Sequence, residues 1–177
     1  MDDIIMAGYN RLIDLISTTD DSIVQHTEEV LSHESVLLEK MASQTAPIIM
    51  KVGISILERG KKNNQGEIYD GKYYPKRMLV LGRSAELAPY RPDNINKVII
   101  DQFCVLSEDG GFYEIMYSGD DLIIDSYLGA LNPRQVLDLY GYEAVFMLYK
   151  AMKQYLENQE ALLESLGKTL EFIAAKK

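Results

Sequence analysis

Two carboxylates, a cluster of cations and a pair of histidines are the residues whose types and spacing offer chemistry. Glu114 and Asp125 lie in consecutive apolar segments joined by Gly119-Asp120. If Gly119 and Asp120 form a two-residue turn, the carboxylates face each other on neighbouring strands. Such a pair repels unless one group is protonated, a cation lies between them or both face water. It would therefore serve as an acid–base couple or half of a hard-metal site. A two-residue turn at Asp109-Gly110 likewise sets Val105 opposite Glu114. It puts Phe103, Phe112, Met116, Ile123 and Tyr127 on the carboxylates' face.

The cations are concentrated. From Arg59 to Lys97 the chain carries nine of its 18 basic residues and only four acids, within a net charge of −9. Arg83 and Arg91 have the planar fork that grips phosphate or carboxylate, and Lys76 and Arg77 add charge beside them. The plainer alternatives are a segment that docks on the acidic helices of the same chain, or a solvated face. Gly82-Arg83-Ser84 has neither the glycine spacing nor the Lys-Ser/Thr of a phosphate-binding loop.

His26, Glu29 and His33 are spaced three and four apart, on one face of a helix, where they could ligate a metal. No second Glu-x-x-His helix completes a di-metal set, and Glu28 and Glu34 make the face read equally as solvated. Cys104, the one cysteine, sits between Phe103 and Val105 with no local base, which suits a buried structural thiol. Of 12 tyrosines, all but Tyr9 lie from Tyr69 onward. Tyr73, Tyr74, Tyr113, Tyr117, Tyr140, Tyr142 and Tyr149 are placed to line a cleft or interface between sheet and C-terminal helices.

These residues need a scaffold, and 177 residues with 47% apolar content suffice for one folded domain. A single cysteine excludes a disulfide framework and any multi-cysteine metal motif. The acidic balance argues against nucleic acid and anionic membranes as partners, and no apolar run approaches the ~18 residues of a spanning helix. Met1-Asp2-Asp3 lacks the positive start of a secretory signal, so a cytoplasmic location is expected.

The hydrophobic pattern predicts an α+β fold, an antiparallel β-meander of four or five strands packed on N- and C-terminal helices. Residues 1–60 read as helical, 67–129 as the meander and 133–177 as helical again. Three helices are expected first: Met1–Ser17, Ile23–Met41 after a break at Thr18–Asp21, and Pro47–Arg59 stopped by Gly60. Lys61–Gly66 reads as a loop. Asp70-Gly71 reads as the turn of a hairpin over 67–74. Strands follow at Met78–Leu81, Val98–Ser107, Phe112–Tyr117 and Leu122–Leu128, with Ser84–Asn96 as an ordered loop. Asn132-Pro133 starts a short helix that Gly141 ends.

From Tyr142 to Ile173 residues that are apolar except for Gln159 recur at alternating steps of three and four, with Glu143, Lys150, Glu157, Glu164 and Glu171 opposite them. Unbroken, that helix would run roughly 50 Å, longer than the ~40 Å breadth of a compact domain of this size. It must break near Asn158 or Gly167, fold against the chain's own first helix, or be covered by a second subunit.

No catalytic or cofactor motif is present, which points away from an enzyme. The expectation is a non-catalytic regulatory or scaffolding module. It would dimerise through helices 1–17 and 142–174 and hold a small anionic ligand. The alternatives are an enzyme acting on a phosphorylated or carboxylated small molecule through Glu114 and Asp125, and a metal-binding protein.

Overall fold

A computed structural model describes residues 2–175. The expected helical segments also include Met1, Lys176 and Lys177, which lie outside the described residues. The architecture is α+β, with helices at both ends of the chain and a curled antiparallel sheet between them.

The first departure from the sequence reading is α1. It is one helix, Asp2–Val52, not three. Thr18–Asp21 does not break it because the hydroxyls are satisfied in helical geometry. Thr18, Thr19 and Ser22 each donate to the carbonyl four residues back, and no Gly or Pro interrupts the stretch. Pro47 lies within the helix rather than at its start. The stop is Gly53, not Gly60. A Cβ on Gly53 would lie 2.6 Å from the Ile49 carbonyl oxygen, to which the Gly53 N–H donates at 2.7 Å.

Eight strands follow α1 before the chain returns to helix. The large sheet contains β1 (Leu57–Lys62), β2 (Ile68–Tyr73), β3 (Met78–Arg83), β6 (Asp101–Ser107), β7 (Phe112–Gly119) and β8 (Ile123–Leu131). Its spatial order is β2-β1-β8-β7-β6-β3. The remaining two, β4 (Tyr90–Arg91) and β5 (Asn94–Val98), form a separate hairpin that overlaps the expected 84–96 loop and takes Val98 from the expected strand 98–107, which begins at Asp101 instead. That makes eight strands in all, six in the main sheet. The hairpin turn between β1 and β2 is Asn63–Gly66, where Asn63 Oδ1 accepts from the Gln65 and Glu67 N–H groups. Asp70-Gly71 is a bulge within β2, with Asp70 at φ 53°.

The ladder between β1 and β2 continues past both strands. The Tyr74 N–H donates to Ile56, and Ile54 and Met78 exchange both backbone bonds. Since β3 also pairs with β6, these bonds join the two margins of the sheet at that end and curl it into a partial barrel.

The two faces have separate cores. The outer face, with Leu81, Cys104, Leu106 and Phe112, packs on Leu38, Ala42 and Ile49 of α1. Two further helices complete that layer, α2 (Pro133–Tyr140) through Val136 and Leu137 and α3 (Glu143–Ala174) through Ala144, Val145 and Leu148. The inner face encloses Ile56, Met78, Val105 and Ile115, with Tyr74, Phe103, Tyr113, Tyr117 and Leu128 around them. At the start of α2, Asn132 caps the Gln135 N–H, as the Asn-Pro pair predicts, and the Gln135 side chain in turn accepts from the Asn132 N–H.

The long helices exceed this body. Every residue from 3 to 30 is exposed, and so is every residue from 156 to 175 except Gly167. At 1.5 Å per residue α1 is roughly 77 Å long, about twice the breadth of a compact domain of this size. The helix α3 runs unbroken through Asn158 and Gly167. It does not fold along the projecting part of α1.

Candidate functional site

The length of one turn and the position of the other set the partners of the two carboxylates: the β7–β8 turn is two residues but falls at Asp121-Leu122, not Gly119-Asp120. Between β6 and β7 the Ser107 N–H bonds the Gly111 carbonyl across three intervening residues, so Cys104, not Val105, faces Glu114. Between β7 and β8 the register sets Glu114 opposite Gly129 and Asp125 opposite Ser118. Both carboxylates lie on the outer face, four residue positions apart along β7, or roughly 13 Å. Glu114 and Asp125 therefore do not face each other. Phe103, expected on their face, points into the barrel.

Each carboxylate has its own neighbours. Glu114 is buried and its Oε1 accepts from the Tyr140 hydroxyl at 2.8 Å and from Gln102 Nε2 at 2.5 Å. Gln102 in turn accepts from the Ala88 N–H at 2.9 Å, so the network ties the 84–89 loop and α2 to the sheet. Burial and the Glu114 carboxylate raise the Tyr140 hydroxyl pKa well above the ordinary phenol range. Burial, with Glu114 beside it, pushes the Cys104 thiol up to about 12, which leaves no thiolate at neutral pH.

Asp125 lies at a clasp built around Arg91. The Arg91 side chain is 6% exposed. It donates through Nε and Nη2 to both oxygens of Asp93 at 2.9 and 2.5 Å. Through Nη1 it reaches Ser118 Oγ and Asp125 Oδ1, each at 3.0 Å. Lys97 closes on the other oxygen of Asp125. Burial works against the Asp125 carboxylate, but Lys97, Ser118 and Arg91 outweigh it and hold its pKa below the usual range. Arg91 thereby pins the β4–β5 hairpin to β7 and β8.

Four more cations of the 59–97 segment are paired, with acids of the strands and turns. Arg83 bonds Asp101 at 2.6 Å and lies 5.9 Å over the Phe103 ring, on the opposite face from Glu114 and Asp125. Lys76 bonds Asp109, Lys61 bonds Asp70 and Lys72 bonds Glu58. Arg77 is exposed, away from Arg91 in the fold's pairing, and its backbone carbonyl accepts from Glu108. The four expected anion ligands thus do not converge on one site. Asp93, Asp101, Ser118 and Gln102 were missed by sequence reasoning. Of these only Asp93 carried a local signal, as the acid two residues beyond Arg91 across a proline.

Two concavities border these groups. One of mixed lining, about 380 Å³, lies beside the clasp, with Arg59, Lys97 and Asp120 on its wall beside Ile100 and Ile123. An apolar one of about 250 Å³ opens into the barrel between Ile54, Val80, Phe103 and Tyr117. Tyr117 spends its hydroxyl on the Leu57 carbonyl at 2.6 Å. The tyrosines form no single cleft. Tyr74, Tyr113 and Tyr117 are inside the barrel, Tyr140 is on the helix-covered face, and Tyr142 packs edge-on against Phe146.

His26, Glu29 and His33 are all exposed on the projecting part of α1. The His26 Nδ1 bonds the Ser22 carbonyl at 2.8 Å and Glu29 accepts from Gln25. Among the described residues no three His, Cys, Asp or Glu side chains are grouped to hold a metal ion.

What remains is surface. Eleven large apolar side chains between Ile4 and Val30 are exposed by 47 to 79%. The chain exposes 12461 Å², against roughly 8,700 Å² for a compact monomer of its mass. None of its helices, among the described residues, is long and apolar enough to cross a membrane. The fold defines an α+β protein with a partial-barrel head and two projecting amphipathic helices. No known protein family, curated protein or solved structure matches the chain.

Proposed function

We propose that this protein is a non-catalytic scaffolding module whose head is held in a homo-oligomer by its projecting helices. The observation that carries this reading is the uncovered apolar face of α1. Ile5, Tyr9, Leu12, Ile16, Ile23 and Val30 share that face, and with Met6, Ile13 and Leu15 flanking it they present about 100 Å² each, or roughly 900 Å² per copy, on the scale of the ~800 Å² a partner contributes to a standard interface. Isolated apolar patches of that size on monomers are uncommon and mark interaction surfaces. The exposed second half of α3, with Leu156, Leu163, Leu166 and Leu170, offers a further strip to the same assembly. The paired state of Arg83, Arg91 and Lys76, and the separation of Glu114 from Asp125, favour this reading over catalysis on an anionic substrate.

The test places charge in the face. Ile16→Glu combined with Ile23→Glu is expected to abolish self-association at tens of micromolar while leaving the thermal transition of the head in place. A variant that elutes and scatters like the wild type would remove the proposal.

A further inference from the structure

From the continuity of α1 we infer that residues 5–37 pair with the same segment of a second copy as a parallel, in-register, two-stranded coiled coil. This rests on the proposed self-association and specifies its geometry. With no break at Thr18–Asp21, a single heptad phase runs along the helix. One set of seam positions holds Tyr9, Ile16, Ile23, Val30 and Leu37, and the other holds Ile5, Leu12, Thr19, His26 and His33. Steps of four and three alternate without exception through both sets, which keeps one strip facing a partner once the helices supercoil. The seam is uncovered within the chain, with Leu12, Ile16, Ile23 and Val30 between 52 and 58% exposed and both histidines exposed.

Two features select the parallel arrangement. Ile16, Ile23 and Val30 place β-branched side chains at three consecutive positions of the first set, the a positions, where parallel dimers accommodate them best. All three polar residues, Thr19, His26 and His33, fall in the second set, the d positions. In a parallel, in-register pair each d residue meets its own copy, so Thr19, His26 and His33 form polar layers and the isoleucines form apolar ones. Any antiparallel alignment sets d against a. It would bury each imidazole against an apolar side chain or Tyr9. The Thr19 hydroxyl and His26 Nδ1 keep their bonds to the Leu15 and Ser22 carbonyls of the same helix, but the Nε2 atoms of His26 and His33 would lose water with no partner across the seam, at a penalty. Polar layers of this kind fix register at some expense of stability. The histidines that read as ligands on a solvated face therefore acquire a different role, as register-setting seam residues.

Disulfide trapping in the full chain tests the geometry, with native Cys104 buried and out of reach. Leu12→Cys and Thr19→Cys, each alone, are expected to form a disulfide-linked dimer under mild glutathione oxidation at least about ten times faster than Asp21→Cys, which lies off the seam. Each variant is checked for dimer mass by light scattering before oxidation. A dimeric variant set in which Leu12→Cys prefers Val30→Cys in a mixture over itself would establish antiparallel pairing. Equal rates at positions 12, 19 and 21 in a dimeric chain would place the interface elsewhere. Either result overturns the inference while leaving self-association standing. A monomer at all three positions and in the wild type would overturn both.

Discussion

Replacing Arg91 with methionine keeps the aliphatic bulk of the side chain and removes its charge and donors. The loss divides between two carboxylates of different exposure. Asp93 is 41% exposed, so its ion pair with Arg91 contributes at most about 1 kcal/mol. Asp125 is 18% exposed, and Ser118 is buried beside it. Removing one partner of a buried pair costs about 3–5 kcal/mol. Lys97 remains on Asp125, which brings the expected total for Arg91→Met to about 3 kcal/mol. For a chain of this length each kcal/mol lowers the melting temperature by roughly 2–4 °C, so the transition should fall by about 6–12 °C. Circular dichroism of thermal unfolding, with urea melts to check that the slope is unchanged, measures it. Asp125→Asn should cost more than Asp93→Asn. Inorganic phosphate at 10 mM should not raise the wild-type transition beyond chloride at matched ionic strength, since the guanidinium is already engaged. A shift under 2 °C for Arg91→Met, or equal losses at Asp93 and Asp125, would refute the clasp.

Glu114→Leu strands the Tyr140 hydroxyl and the Gln102 amide and should cost about 2–5 kcal/mol in a urea melt, whereas Glu114→Gln, which keeps an acceptor, should cost about 1 kcal/mol. Stability should fall with acid in a defined window. Burial opposes the Asp109 carboxylate, but Lys76 and the Gly111 N–H outweigh it and hold its pKa down to about 2. The unfolded chain therefore takes up a proton first, near pH 4. The contribution is complete above that pH and is lost as pH falls towards 2. Asp109→Asn should flatten that part of the stability profile measured by denaturant melts between pH 5 and 2. Cys104 should resist alkylation by iodoacetamide at pH 8 in the native protein and react fully in urea, and rapid native labelling would contradict its burial.

The class of fold was legible because long-period signals survive local errors. The meander was announced by turn residues between apolar runs, and the helix start at Asn132 by its Asn-Pro pair. Register was not legible. A three-residue turn in place of two at Glu108–Gly110 moved Glu114 from Val105 to Cys104, and a shift of one residue reassigns every facing pair. The chain at Leu57–Lys62 is strand rather than helix because Gly53 ends α1 before it; Gly60 instead lies where β1 passes Ile68, and a Cβ there would come within 2.6 Å of its methyl group. At Thr18–Asp21 polar residues imitated a helix cap, yet i−4 hydroxyl bonding let the helix continue. Splitting α1 there also hid the seam, since Ile16 and Ile23 belong to one heptad phase only when Thr19 is counted between them. The Arg91 clasp joins residues 27 and 34 positions apart, through bonds that exist only once β4–β5 has folded onto β7–β8.

Sedimentation equilibrium of the full chain between 1 and 100 µM addresses self-association most directly. A chain of 20.1 kDa that pairs through α1 should give a mass of about twice that value across the upper part of this range. It should return to the monomer mass when Ile16 and Ile23 are both changed to glutamate. A wild-type mass of 20.1 kDa at every concentration would contradict the account.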